Sequence, residues 1–263
     1  MLEGLAHVRD KVLDRAWLEP GETVLDAGCG EGLIGFGALE RGAGHVVFAD
    51  ASADVLDLCR EAAEGLDVSD RCSFLHAPIE ELDGVGDGSV DVACTRSVLI
   101  YVKDKAQAFA ELFRVLGPGG RISLFEPINR FGAEERGTGF WGYPAGDLGA
   151  LAARVEGVYT AIQPDDDPMV DFDERDLLAL AEAAGFFPVG LELHADVRAM
   201  EPRRWSVFAN SSGNPKIPTI AEAIDQALTQ EERERFTEHL RPLVEEGDGI
   251  SRTAIAYLSA TKP

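Results

Sequence analysis

The stretch "VLDAGCGEG", Val24 to Gly32, decides the fold because it joins a buried-strand pattern to a glycine-rich loop. Apolar residues lead into Asp26, and glycine then recurs at positions 28, 30 and 32. Glycine loses more chain entropy on folding than any other residue, so its repetition needs a reason. Either the backbone adopts a conformation that side chains disfavour, or a ligand approaches the backbone so closely that a side chain would block it. We interpret the stretch as the first strand and the ligand loop of an α/β domain.

Strand-like and helix-like segments alternate along the chain, which is typical of a parallel sheet flanked by helices. The seven predicted strands cover residues 23–28, 44–50, 72–77, 90–95, 121–126, 188–197 and 253–263. The predicted fold class is therefore α/β, with a seven-stranded, mostly parallel sheet.

One domain is expected over residues 1–263, beginning with a helix at 1–20. Residues 131–171 carry aromatic side chains among glycines and show no clean period, so they are predicted to be a substrate lid without regular structure. Residues 201–250 are predicted to be a helical insertion before the last strand, with a capping box from Thr229 to Glu232.

Composition excludes several classes of partner. The formal charge is −23 and no basic cluster exceeds two residues, which argues against nucleic acid and anionic membrane surfaces. No apolar run approaches the roughly 18 residues that span a bilayer, and the N-terminus does not read as a signal peptide. The four cysteines lack CxxC spacing, so we expect reduced thiols in a cytoplasmic protein.

The spacing of acids around the loop indicates an adenosine ligand. Asp50 ends the second strand 22 residues after Gly28, where a carboxylate accepts both ribose hydroxyls. A dinucleotide fingerprint would need glycine at position 33, which is Leu33 here, and a carboxylate at Asp26 would repel a pyrophosphate. Asp26 instead suits a ligand that carries an ammonium and a sulfonium, and S-adenosylmethionine has that charge pattern.

The loop, Asp50 and the stretch "HAPIEELDGVGDGSVDVACTRSVLIYVKDKAQAFAELFRVLGPGGRISLFEP" at 76–127 together resemble the class I S-adenosylmethionine-dependent methyltransferases. The ubiquinone/menaquinone-biosynthesis-type branch is the nearest. The resemblance covers roughly residues 22–127 and the final "YLSATKP". It implies a Rossmann-like sheet with helices on both faces, methyltransferase activity, S-adenosyl-L-methionine as cofactor, and no required metal.

The resemblance also assigns the cofactor contacts of the first two strands. The methionine part of the cofactor would be lined by Asp26, Gly28, Cys29 and Gly30. Asp50 would bind the ribose, and Ala51 would lie beside the adenine. For Cys29, a small packing residue without thiol chemistry is the simpler interpretation.

Further contacts are implied after strands three and four. The backbone of Arg96 and Ser97 would contact the methionine amine. Family members often place an acid after strand three to bind the adenine amino group, but this sequence has Pro78 there. The backbone of Ile79 would take over that contact, with the Glu80 side chain as a substitute.

Removal of a proton from the methyl acceptor would need a base. The candidates are Glu126 at the end of strand five, Tyr101 after strand four, His7 in the N-terminal helix and His194 near the end of strand six. Each also has a structural interpretation, and for Glu126 this is an acid that stabilises the turn after its strand.

The predicted lid suggests a small, apolar or aromatic substrate. Phe140, Trp141 and Tyr143 would contact it, and Arg130 or Arg136 would bind an anionic group. The alternative is that these aromatic residues form a satellite core or a dimer contact. Oxygen is the favoured methyl acceptor as a prior expectation, and the sequence itself does not distinguish oxygen from nitrogen, carbon or sulfur.

Three other functions stay open at this point. A nicotinamide-dependent oxidoreductase would use the same sheet, and a non-catalytic cofactor-binding partner protein would keep the loop without the chemistry. The third is a protein that uses bound S-adenosylmethionine for chemistry other than methyl transfer. A homodimer is an open alternative for the assembly.

Overall fold

The computed structural model describes residues 2–133, 139–164, 166–213 and 217–263. Its contacts divide the chain into two compact units. The first unit comprises residues 1–127, 172–194 and 255–263, and the second comprises 128–171 and 195–254. The segments predicted as a lid and as a helical insertion therefore belong to one unit, where the sequence analysis treated them separately.

A seven-stranded sheet carries the glycine loop. Numbered along the chain, the strands of the molecule are β1 (Thr23–Ala27), β2 (His45–Asp50), β3 (Cys72–His76), β4 (Val90–Arg96), β5 (Leu116–Pro127), β6 (Gly139–Phe140), β7 (Tyr143–Pro144), β8 (Val189–Ala199) and β9 (Ile250–Thr261). The sheet order is β3-β2-β1-β4-β5-β9-β8, with β1 to β5 parallel and β9 antiparallel to β5. The predicted Rossmann-like, mostly parallel sheet is confirmed.

The helices begin and end at recognisable signals. They are α1 (Leu2–Arg15), α2 (Leu33–Glu40), α3 (Ala53–Gly65), α4 (Lys105–Val115), α5 (Asn129–Ala133), α6 (Gly149–Ile162), α7 (Glu174–Ala184), α8 (Trp205–Ala209), α9 (Ile220–Ala227) and α10 (Gln230–Glu246). α7 starts with a capping box from Asp173 and ends at Gly185 in the left-handed region. α10 starts with the predicted capping box at Thr229 and ends at Gly247.

The core of the first unit fixes the strands that lead to the loop. Phe48 on β2 packs between Phe36 and Phe74, with ring centroids 4.9 and 5.4 Å apart. α1 is attached to β5 by polar contacts as well as by its apolar face, because the Ser123 hydroxyl donates to the Val12 carbonyl at 2.7 Å. Such burial and hydrogen bonding leave little freedom to the ends of the central strands.

The second unit has an aromatic core of its own. Phe140 packs edge-to-face on Phe236 at 5.3 Å, and Tyr143 packs on Phe208 at 5.5 Å. The prediction that residues 131–171 lack regular structure was wrong, because α6 and the β6–β7 hairpin lie within them. Three α6 residues spaced by three and four form its buried face, and small residues around them obscured that period: Ala152, Val155 and Tyr159.

β5 starts at Leu116, earlier than predicted, because the backbone around Gly119 and Gly120 hydrogen-bonds to Lys262 at 2.8 Å beyond the end of β9. Within the parts of the chain that the structure describes, no helix combines the length and the apolar character needed to cross a lipid bilayer.

Candidate active site

The glycine loop leaves β1 at the carboxyl edge of the sheet. The amides of Gly28 and Cys29 both donate to the Ala49 carbonyl of β2, at 2.8 and 3.0 Å. Gly28, Gly30 and Gly32 have φ values of +69°, +51° and +79°, in the left-handed region that favours glycine. The alternating glycines are therefore required by the backbone conformation of the loop.

Asp26 lies beneath this loop and is buried, with 2 % of its surface exposed. Its Oδ2 accepts a hydrogen bond from the Gly35 amide at 2.8 Å, within the first turn of α2. Burial raises the pKa of Asp26 to about 7, although the Gly35 hydrogen bond and the charge of Arg96 oppose the rise. A carboxylate of the chain itself therefore lies at the helix N-terminus, where dinucleotide-binding proteins place a pyrophosphate.

Asp50 connects the end of β2 to the glycine loop. Its Oδ2 accepts from the Gly30 amide at 2.9 Å, and its Oδ1 accepts from the Ser52 amide at 2.9 Å. These two bonds fix the carboxylate at the loop, where the sequence predicted a ribose contact.

His76 is a residue of this region that the sequence analysis missed. It ends β3 directly beside Asp50 in the strand register, and its Nε2 lies 3.0 Å from the Ala51 carbonyl. Because the predicted third strand ended one residue later, at Ala77, the sequence did not pair His76 with Asp50. Ile79, three residues on, is buried.

A tight turn follows β4 and lies against the loop. Ser97 has a φ of +57°, and its amide donates to the Phe125 carbonyl at 2.8 Å. A Cβ placed on Gly28 would overlap the side chain of Val98, so loop and turn approach as closely as glycine allows. The turn thereby holds Arg96 and Ser97 beside the loop; their contact with the methionine amine stays a prediction.

Glu126 supports this turn from below. Its side chain is fully buried, and Oε1 accepts from the amides of Val98 at 2.9 Å and Leu99 at 3.1 Å. The Thr95 hydroxyl lies 3.4 Å from the same oxygen, whereas Oε2 is buried without a hydrogen-bond partner among the described residues. Burial raises the pKa of Glu126 to about 7 against the effect of the amide donors.

The other base candidates lie elsewhere in the first unit. Tyr101 is 61 % exposed in the 3-10 turn after Leu99, and His7 is exposed on α1. His194 belongs to a separate ionic cluster, with its Nε2 2.5 Å from Glu192 Oε1 and 2.9 Å from the Lys11 ammonium.

The substrate candidates all belong to the second unit. Phe140 and Tyr143 are buried side chains of its core, with at most 1 % exposed, so they do not present a contact surface. Trp141 is half-buried with a φ of +51° and packs edge-to-face on Tyr159 at 5.6 Å. Arg130 lies in α5, and Arg136 falls outside the described residues.

Comparison with known proteins agrees with this geometry. The family model described as "Methyltransferase domain" matches residues 25–124, which include the loop, Asp50 and the Ser97 turn. Residues 25–124 are a class I S-adenosylmethionine-dependent methyltransferase domain. The tRNA 5-carboxymethoxyuridine methyltransferase of Escherichia coli (strain K12) is 37% identical over 115 residues, covering 43% of this chain and 44% of that one.

Other relatives extend the similarity in sequence and in fold. A ubiquinone biosynthesis O-methyltransferase of Psychrobacter cryohalolentis is 33% identical over 110 residues, covering 42% of each chain. The chain spans less than half the length of these curated relatives. The geranyl diphosphate C-methyltransferase structure from Streptomyces coelicolor has a TM-score of 0.57 at 17% identity, covering 98% of this chain and 76% of that one. At 17% identity, this similarity establishes the fold alone.

The two loop glycines should respond differently to alanine. Gly28→Ala combines a positive φ with the overlap at Val98, whereas a Cβ on Gly30 would meet no described atom within 4 Å. We expect Gly28→Ala to lose about 3 kcal/mol of unfolding free energy and Gly30→Ala only about 1 kcal/mol, the cost of the left-handed backbone. Urea denaturation of both variants checks this, and equal losses would contradict the close approach of Val98.

Proposed function

We propose that the protein transfers a methyl group from S-adenosylmethionine to a small molecule. The observation that carries the proposal is the buried Asp26 carboxylate, hydrogen-bonded to the Gly35 amide at the start of α2. Its negative charge suits an ammonium or a sulfonium and repels a pyrophosphate, so it favours this cofactor over a nicotinamide dinucleotide.

The residues around the loop fit the cofactor. The position of a Cβ on Gly30 is clear of described atoms, which leaves room for a ligand to approach the backbone. Asp50 would bind the ribose hydroxyls, and the Arg96–Ser97 backbone would meet the amino-acid end. Ala51 and the Ile79 backbone would lie at the adenine, and His76 adds a polar ring at that end.

The cofactor supplies a methyl group that its sulfonium already activates. The protein's own residues then have to orient the two reactants and exclude water, which accounts for much of the acceleration in such reactions. We propose Glu126 as a positioning residue, because Oε1 holds the amides of the Ser97 turn. Tyr101, His7 and His194 stay proposals for a base.

The substrate we propose is a small apolar or aromatic molecule methylated on oxygen. Support comes from the ubiquinone O-methyltransferase relatives, and Trp141 and Arg130 stay proposals for substrate contacts. A relative that acts on tRNA makes RNA the alternative, and the formal charge of −23 argues against it.

The experiment is a transfer assay with methyl-labelled S-adenosylmethionine. The purified protein is offered a panel of phenols, hydroquinones, amines and thiols, with total tRNA in a separate reaction. Label in an extractable phenol or hydroquinone ether supports the proposal. Label in tRNA would contradict the small-molecule part, and transfer only to amines or thiols would contradict the oxygen acceptor.

Cofactor binding should depend on pH through Asp26. Its pKa of about 7 in the free protein lies above the ordinary value, and a cationic ligand stabilises the ionised form, so binding releases a proton. The affinity for S-adenosylmethionine should therefore rise about 25-fold between pH 5.5 and 7.5, because the ionised fraction of the free carboxyl falls up to tenfold with each pH unit below its pKa. Calorimetry on wild type and Asp26→Asn tests this: the variant should bind weakly with a flat profile, and parallel profiles would remove Asp26 from the site.

A further inference from the structure

A pair of buried thiols lies at the glycine loop, and the cofactor binding proposed above, on which this inference rests, assigns no thiol chemistry to it. Cys29 belongs to the loop itself, and Cys59 is in the middle of α3. The Cys59 thiol lies 3.1 Å and the Cys29 thiol 3.5 Å from the same acceptor, the Gly30 carbonyl. Both sulfur atoms therefore lie around one carbonyl oxygen of the loop.

We propose that Cys29 and Cys59 are a site of reversible oxidation, at which a peroxide converts the thiol pair into a disulfide and weakens cofactor binding. Two thiols that share one backbone acceptor lie at the same place in the loop, and a disulfide forms between them where their Cβ atoms come within about 4.5 Å of each other. Because the two cysteines are 30 positions apart and lack CxxC spacing, only the fold shows that they lie together.

The chemistry is balanced by hydrogen peroxide. The Cys59 thiolate attacks one peroxide oxygen, the O–O bond breaks, and a sulfenic acid and hydroxide form. The Cys29 sulfur then attacks the Cys59 sulfur, the S–S bond forms and water leaves. In total the two thiols lose two protons and two electrons, and one hydrogen peroxide becomes two waters.

The acidities of the two groups agree with these roles. The hydrogen bond from Cys29 lowers the pKa of Cys59 below its ordinary value, so Cys59 is the thiol that ionises first. Contact with that thiolate, together with burial, raises the pKa of Cys29.

The same contacts connect oxidation to the cofactor site. The Gly30 carbonyl loses both S–H donors when the disulfide forms, while the Gly30 amide stays bonded to Asp50. The disulfide also draws Cys29 toward α3, which moves the loop residue next to Gly30. Loss of one or two hydrogen bonds corresponds to about a tenfold change in affinity. Cofactor in the loop would in turn shield the thiols.

The test treats the full-length protein with hydrogen peroxide and quenches with a thiol-blocking reagent. Peptide mapping should find a disulfide between Cys29 and Cys59, formed more slowly when S-adenosylhomocysteine is present. Calorimetry should show about tenfold weaker S-adenosylhomocysteine binding after oxidation, restored by dithiothreitol. The reduced protein is titrated first. If it does not bind S-adenosylhomocysteine, both the proposed cofactor and the effect of oxidation on its binding are disproved. Peptide mapping still shows in that case whether the disulfide between Cys29 and Cys59 forms.

Two variants separate this pair from general thiol damage. Cys59→Ser keeps a hydroxyl donor for the Gly30 carbonyl and should bind the ligand without further loss when peroxide is added. Cys72→Ala is the matched control: Cys72 is half-buried and donates to the Val68 carbonyl at 3.2 Å, so this variant should lose affinity on oxidation as the wild type does. A disulfide between Cys59 and Cys72, no disulfide, or an oxidised pair with unchanged affinity would each overturn the proposal.

Discussion

Asp50→Asn should weaken the binding of S-adenosylhomocysteine by about a hundredfold, because one or two charged hydrogen bonds of about 1.5–3 kcal/mol each are lost. In the free protein the carboxylate accepts from Gly30 and Ser52, one amide on each oxygen. An asparagine would accept from one amide and would turn its own NH₂ group toward the other. The variant therefore loses the negative charge that would accept hydrogen bonds from the ribose hydroxyls, and it loses one of the two hydrogen bonds that hold the loop.

The matched control for this prediction is Asp54→Asn. Asp54 is exposed in the first turn of α3, four residues further along the chain. Its substitution by asparagine removes the same charge and leaves the hydrogen bonds of the glycine loop unchanged. Calorimetric titration of both variants at one pH and ionic strength is the measurement. Equal, small losses in the two variants would show that Asp50 acts only through net charge and does not contact the ligand.

Glu126→Ala should lower the free energy of unfolding by about 3 kcal/mol, since it leaves one buried and one partly buried amide without an acceptor and creates a cavity. The amides are those of Val98 and Leu99, which Oε1 now satisfies. Glu126→Gln keeps an acceptor and the volume, so it should lose less than half as much. Urea denaturation compares the two, and equal losses would show that the carboxylate does not support the turn through these bonds.

The glutamine variant also separates positioning from base catalysis. If Glu126 only holds the turn, Glu126→Gln keeps the wild-type dependence of kcat on pH, whereas loss of a base would remove one ionisation from the profile. Stability gives a second readout. The folded-state pKa of about 7 lies above the unfolded value near 4.5, so this group's contribution is complete below pH 4.5 and is lost as pH rises toward 7. Glu126→Gln should remove that part of the slope.

Much of the first unit could be predicted from its sequence because local patterns and tertiary packing agree there. The apolar runs of β1 and β2 are fully explained by a sheet covered by helices, and Asp26 and Asp50 follow from their positions at strand ends. The predicted capping box at Thr229 likewise depends on neighbours in the sequence only.

The features that sequence reasoning could not supply depend on contacts between distant segments. The period of α6 is diluted by glycine and alanine, so its helix was not recognised. Whether Phe140 and Tyr143 face a ligand or a core depends on α8 and α10, which lie about 60 to 100 residues later. The Glu126–Val98 bond and the Cys29–Cys59 pair are of the same kind, since each joins residues about 30 positions apart.

The central claim is that the loop from Asp26 to Gly32 and Asp50 together bind S-adenosylmethionine. The most direct test is a calorimetric titration of the reduced, full-length protein with S-adenosylhomocysteine, with NADH titrated in parallel. The account predicts saturable binding of one S-adenosylhomocysteine per chain, with a dissociation constant on the order of micromolar, about −8 kcal/mol, and no saturation by NADH. No heat of binding with millimolar S-adenosylhomocysteine, or saturable binding of NADH that S-adenosylhomocysteine does not displace, would contradict it.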